Sequence, residues 1–210
     1  MPSMVNGWVR VAGLAVVLAL AGFAPRAEAA GDAQRGKLLG YTCLGCHGID
    51  NYKNVYPTYN VPRLDGQQPD YLVAALKAYR SKERSHATMY AQAASLSDQD
   101  IEDVAAYLAG PTQLATTAEP RGAAPEKVTG LCATCHGKNG VGIASIYPSL
   151  AGQHADYLER ALTEYRKGDR KNAIMPAFAN QLSEAEIKQV AAYYAAQQPA
   201  LKTVPRPIFN

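Results

Sequence analysis

The sequence lacks the features of a sheet protein, a membrane-spanning protein or a nucleic-acid binder. Nothing in it reads as a sheet or as a βαβ unit, which sets aside the usual frame of thioredoxin-like redox chemistry. Beyond residue 24 no run stays apolar for the roughly 20 residues that a membrane-spanning helix needs. Charge of one sign is missing too, since 21 basic residues face 18 acidic ones for a net +3. That balance offers no polyanion-binding surface and names no particular partner. Large aliphatic side chains are few, so a small domain of this chain has a thin core and needs a staple. Cysteine is scarce, at four residues, and so is methionine, also at four.

What is present begins with a leader. Arg10 precedes VAGLAVVLALAGFA, apolar or small from Val11 to Ala24, and AEA at 27–29 is a small-residue cleavage site. The pattern predicts a cleaved signal peptide over residues 1–29 and a periplasmic protein, with an uncleaved anchor as the alternative. Without those residues the chain keeps 19 basic and 17 acidic side chains, a net +2.

All four cysteines fall in two motifs, CLGCHG at 43–48 and CATCHG at 132–137. Two thiols three positions apart with a histidine directly after the second is the spacing of covalent c-type haem attachment. On a helical turn both thiols reach one edge of a porphyrin, and the imidazole lies under the iron. Cys43 and Cys46 with His47 are candidates for one haem, and Cys132 and Cys135 with His136 for a second. A redox thiol pair does not need that histidine. A zinc site would have to join pairs separated by 86 positions, far beyond finger or ribbon spacing. Structural disulfides stay open in an exported protein.

Repetition runs well past the cysteines. VPRLDGQQPDYLVAALKAYRSKERSHATM from Val61 lies over YPSLAGQHADYLERALTEYRKGDRKNAIM from Tyr147 at a constant offset of 86, and LSDQDIEDVAAYLA continues as LSEAEIKQVAAYYA. Only the segment after each motif differs, with 15 positions from His47 to Pro62 and 12 from His136 to Pro148. The proline- and alanine-rich stretch after Gly110 reads as a linker. The expected organisation is a domain over 31–110, a linker over 111–120, a second domain over 121–198 and a tail over 199–210. Apolar residues at helical spacing (Leu72, Ala75, Leu76, Tyr79) and the capping-box-like SDQD and SEAE predict an all-α fold, with a last helix striped by Ile101, Val104, Ala105 and Leu108. A shorter helix is expected to lead into each cysteine motif.

The ligand opposite each histidine separates a carrier of electrons from an oxygen- or peroxide-binding enzyme. Met89 and Met175 hold equivalent places in a loop before the last helix, and the remaining methionines, Met1 and Met4, lie in the leader. A thioether is a soft, neutral ligand that favours ferrous iron; core filler is the alternative role. His86 aligns with Asn172 and His154 with Gln68, so neither histidine recurs, and surface or supporting roles are expected of both. Pro176, next to Met175, predicts extended backbone at that methionine, whereas Tyr90 leaves Met89 freer. Arg80 and Arg84 recur as Arg166 and Arg170. A guanidinium pairs well with a haem propionate, and a solvated helix end is an equal explanation.

CHGKNGVGIASIYPSLAGQHADYL with IMPAFANQLSEAEI, together with CLGCHG, VPRLDGQ and LSDQDIEDVAAYL, resembles tandem class I cytochrome c and specifically the dihaem cytochrome c4 family, over essentially the whole mature chain. The resemblance implies two facing helical domains with close haems, two covalent haem c groups, and Pro62 and Pro148 offering backbone carbonyls to the proximal histidines. The segment IDNYKNVYPTYN departs from the family by placing tyrosines where a glycine-rich loop is usual. The implied function is a periplasmic electron carrier, not an enzyme, between redox proteins such as a quinol-oxidising donor and a terminal oxidase. No nucleic acid is implied, and peripheral membrane association is left open. A dihaem subunit of an oxidoreductase complex, such as a flavocytochrome sulfide dehydrogenase, and a dihaem peroxidase are the rivals.

Overall fold

In the computed structural model, which describes residues 31–206, helices follow one another with no strand among the described residues. The leader expected over 1–29 lies outside them. The first domain contains α1 (Ala33–Leu39), a 3₁₀ turn (Gly40–Cys43), α2 (Leu44–His47), α3 (Pro69–Arg80), α4 (Ala87–Ala93) and α5 (Asp98–Ala109). The second contains a π-helical turn (Val128–Cys132), α6 (Ala133–His136), α7 (Ala155–Lys167), α8 (Met175–Ala179) and α9 (Glu184–Ala195).

Local chemistry explains the boundaries. Pro69 begins α3, where its missing N–H costs nothing. Ser97 and Ser183 each close a full capping box, with Asp100 and Glu186 returning a carboxylate to the cap backbone. The expected stripe of Ile101, Val104, Ala105 and Leu108 is buried, and Ile187, Val190, Ala191 and Tyr194 repeat it in α9. Helix α5 packs on α1 and α3, and α9 on α7. Gly36 permits the α1–α5 crossing, because a Cβ there would lie 1.9 Å from the Asp103 carbonyl oxygen.

The entry into the motifs differs between the copies. A separate helix, α1, precedes the first, whereas the second is entered by a short helical stretch that begins at residue 126 and runs through the π-helical turn into α6, so a helix leads into each motif as expected. Pro125 stands just before that stretch, where its missing N–H costs nothing, and its carbonyl accepts from Val128 and Thr129. Near the tyrosine-rich segment, Lys53 and Asn60 form an isolated antiparallel bridge. Tyr59 turns inward and is buried, while Val55 and Tyr56 are exposed.

The two domains face each other with their equivalent elements exchanging contacts. Arg84 and Arg170, one from each copy, form an isolated antiparallel bridge. The tail also crosses between domains. Leu201 N–H donates to the Ala151 carbonyl of the second domain, whereas Lys202 exchanges backbone bonds with Asp65 of the first, and Val204 N–H donates to the His47 carbonyl at 3.1 Å.

Candidate functional site

A cavity at the cysteine motif of each domain gathers the residues that the repeat singles out. In the first, of about 150 Å³, Cys43, Cys46, His47, Pro62 and Met89 share a lining. In the second, of about 380 Å³, Cys132, Cys135, His136, Pro148 and Met175 do the same. The thiols are free rather than paired in disulfides. No cluster of three or more histidine, cysteine or acidic side chains is arranged for a metal ion among the described residues, so the zinc alternative has no donor set.

Cys43 and Cys132 end the 3₁₀ and π-helical turns, and the short helices α2 and α6 that follow carry Cys46 with His47 and Cys135 with His136, the imidazole one residue past the second thiol. His47 Nδ1–H donates to the Pro62 carbonyl and His136 Nδ1–H to the Pro148 carbonyl, both at 2.9 Å. Those bonds fix the tautomer and leave Nε2 of each ring as its free nitrogen. Burial pushes the pKa of both imidazoles down, against the opposing pull of the proline carbonyls, which favours the neutral, ligating form.

The methionines are not in loops. Met89 lies in the first turn of α4, and Met175 is the first residue of α8, with Pro176 inside the helix. The extended backbone expected before Pro176 does not occur. Instead Asn172 Oδ1 accepts from the N–H groups of Ile174 and Met175, both at 2.9 Å, and so draws the chain into a helical start. His86 does the same work in the first domain, its Nδ1 accepting from Met89 N–H at 3.3 Å. It also lines the first cavity, whereas His154 lines neither.

The repeated arginines divide by position. Arg80 donates to the Leu96 carbonyl and pairs with Asp98, and Arg166 reaches the Leu182 carbonyl, so both serve the start of the last helix. Arg84 and Arg170 are buried between the domains. Arg84 donates to the Tyr157 hydroxyl at 2.5 Å and Arg170 to the Tyr71 hydroxyl at 2.8 Å, each arginine bonding the tyrosine of the other domain. Tyr71, Ala75, Arg84 and Tyr157 line both cavities, which places this cluster between them. Burial alone would raise the Tyr71 phenol, but the charges of Arg170 and Arg84 bring it down to about 8.

Neither buried arginine is ion-paired with a carboxylate among the described residues. Two buried like charges without acidic partners are costly unless anions meet them. A cavity with a thiol pair, a neutral imidazole, a thioether and an adjoining guanidinium fits a haem with its anionic propionates. The sequence did not disclose Tyr71, Tyr157, or the glutamines Gln67 and Gln153 that join the domains, although all four recur at the offset of 86.

Family models agree with this division. The cytochrome c model matches residues 33–110, and the model of cbb3-type cytochrome c oxidase subunit III matches residues 124–193. Fold and motifs thus define two class I cytochrome c domains in tandem, with two covalently bound haem c groups attached through Cys43, Cys46, Cys132 and Cys135. Cytochrome c4 of Pseudomonas aeruginosa is 34% identical over 195 residues, covering 86% of this chain and 96% of the relative. The crystal structure of reduced cytochrome c4 from Pseudomonas stutzeri superposes with a TM-score of 0.64 at 32% identity, covering 80% of this chain and all of the other. A thiosulfate dehydrogenase electron acceptor of Stutzerimonas stutzeri is 34% identical over 169 residues, covering 73% of this chain and 77% of that protein. The chain belongs to the cytochrome c4 family of electron-transfer proteins.

Proposed function

We propose that the protein is an exported, freely diffusing dihaem carrier in which His47 and Met89 ligate one iron and His136 and Met175 the other. The observation that supports it best is the repeated donor set, a carbonyl-bound imidazole and a capped methionine lining one cavity in each domain. When bound, haem supplies an iron that alternates between ferric and ferrous states. The chain's part would be to keep each imidazole and each thioether in place in either state. The Pro62 and Pro148 carbonyls orient the imidazoles and strengthen them as donors, and the thioethers favour the reduced state. Arg84 and Arg170 offer bidentate donors to propionates at the domain junction. Electrons enter from a quinol-oxidising donor and leave toward a terminal oxidase, in the periplasm to which the leader directs the chain.

Carbon monoxide tests the coordination. The reduced protein is expected to bind little of it, and the oxidised protein to show a methionine-to-iron charge-transfer band from both domains. A full-stoichiometry carbon monoxide spectrum, or robust peroxide turnover, would overturn the carrier in favour of an enzyme. A second reading, an electron-accepting subunit of a thiosulfate-oxidising enzyme, draws on the relative of that name. Size-exclusion chromatography of a native extract with haem staining separates the two, since a free carrier elutes alone.

A further inference from the structure

The glutamine of each LxGQ stretch has no place in haem attachment or ligation, yet Gln67 and Gln153 are both buried. Each reaches into the other domain. Gln67 Nε2–H donates to the Ser149 carbonyl at 2.9 Å, and its Oε1 accepts from Ser149 N–H at 2.7 Å. Gln153 Nε2–H donates to the Arg63 carbonyl and its Oε1 accepts from Arg63 N–H, both at 2.9 Å. Each Oε1 also accepts from the N–H of the residue that follows its own glutamine, Gln68 or His154, which fixes its direction.

The partner residues give these bonds their meaning. Ser149 N–H belongs to the same peptide group as the Pro148 carbonyl, which accepts from His136. Arg63 N–H belongs to the same peptide group as the Pro62 carbonyl, which accepts from His47. Two unbroken relays result: His136 to the 148–149 peptide to Gln67, and His47 to the 62–63 peptide to Gln153. A peptide whose N–H is bonded has a more polarised carbonyl, and successive hydrogen bonds strengthen one another by about 10–30%. A stronger acceptor draws the Nδ1 proton harder and makes the imidazole a better donor to iron.

We propose that Gln67 and Gln153 are reciprocal positioning residues, each tuning the proximal histidine of the opposite domain through a single peptide group. The proposal rests on His47 and His136 being the proximal ligands. Gln67 lies in the first domain but acts on the haem of the second, and Gln153 acts on the haem of the first. Loss of either amide weakens one imidazole, disfavours ferric iron there and raises that haem's midpoint potential.

Redox titration of the haem-loaded full-length protein, followed by the NMR methyl signals of Met89 and Met175, reads the two midpoints separately. Gln67→Met is expected to raise chiefly the midpoint reported by Met175, and Gln153→Met chiefly the one reported by Met89. Gln67→Glu and Gln153→Glu retain the accepting oxygen and should return the midpoint to the unsubstituted value or below it. The shorter Gln67→Asn and Gln153→Asn, milder if the methionine variants fold poorly, should show the same crossed pattern at smaller amplitude. Asp156→Ala removes a different interdomain contact, the bonds from Asn60, and should leave the difference between midpoints unchanged. A shift confined to the glutamine's own domain, an equal shift in both, no shift, or no recovery with glutamate overturns the proposal. Methyl signals of the unsubstituted protein lacking the displacement expected of iron-bound methionine would instead overturn the ligand assignment, independently of the glutamines.

Discussion

Position 86 carries an imidazole where the second copy has the amide of Asn172, and both atoms accept the N–H of the following methionine. The residue types differ because the task asks only for a short acceptor at a helix start. His86→Asn should therefore keep the Met89 geometry and leave the first domain's charge-transfer band intact. His86→Ala removes the acceptor, costs about 1 kcal/mol, and should let added imidazole displace Met89 at lower concentration. Equal imidazole sensitivity in the asparagine and alanine variants would show that the cap does not hold the methionine. At this scale much was legible. Spacing singles out the cysteines and histidines, and the repeat the methionines, that line the two cavities. The role of His86 stayed hidden because an acceptor works through geometry, and imidazole and amide look unrelated in sequence.

The final helices show how far local rules reach. SDQD and SEAE fold as the capping boxes they spell, and the apolar stripe behind each is buried. Bonds from the Ser97 side chain and backbone, reinforced by Arg35, hold the Asp100 carboxyl at about 2 against an ordinary 3.8. A carboxyl depressed in the folded state stabilises the fold above its unfolded pKa, and that contribution fades as the pH falls through the folded one. The first domain should consequently lose stability between about pH 4 and pH 2, and Asp100→Asn should flatten that limb while lowering stability at neutral pH. Acid melts monitored by the haem absorbance of each domain measure both effects, and an unchanged acid limb in the variant would exclude Asp100 as its source. The lead-in to the second motif follows the same rules, its short helix starting just after Pro125 at residue 126, and what local rules did not show there is the π-helical turn over Val128–Cys132.

At the scale of the molecule the constant offset of 86 identifies equivalent residues but not their contacts. Gln67 and Gln153, and Arg84 and Arg170 with Tyr157 and Tyr71, all bond across to the opposite copy, so their partners are invisible to a comparison that only aligns one copy over the other. The tail is the extreme case, having no counterpart in the repeat. It leaves α9 of the second domain, bonds to Ala151 there, then exchanges backbone bonds between Lys202 and Asp65 and buries Val204 in the first domain's core beside Leu44. Val204 N–H also ends on the carbonyl of His47, which couples the strap to the first haem's attachment turn. Truncation after Pro199 would remove the buried Leu201 and Val204, whose burial contributes about 1.5–3 kcal/mol each. Because most of these contacts are made to residues 47–65 and the first core, the cost should fall mainly on the first domain although the deleted residues follow the second. Thermal unfolding followed by the methionine-to-iron bands should then split into two steps, with the Met89 signal lost first and the Met175 signal moved less. A truncated protein that unfolds in one unshifted step, or loses the Met175 signal first, would show that the strap does not hold the first domain.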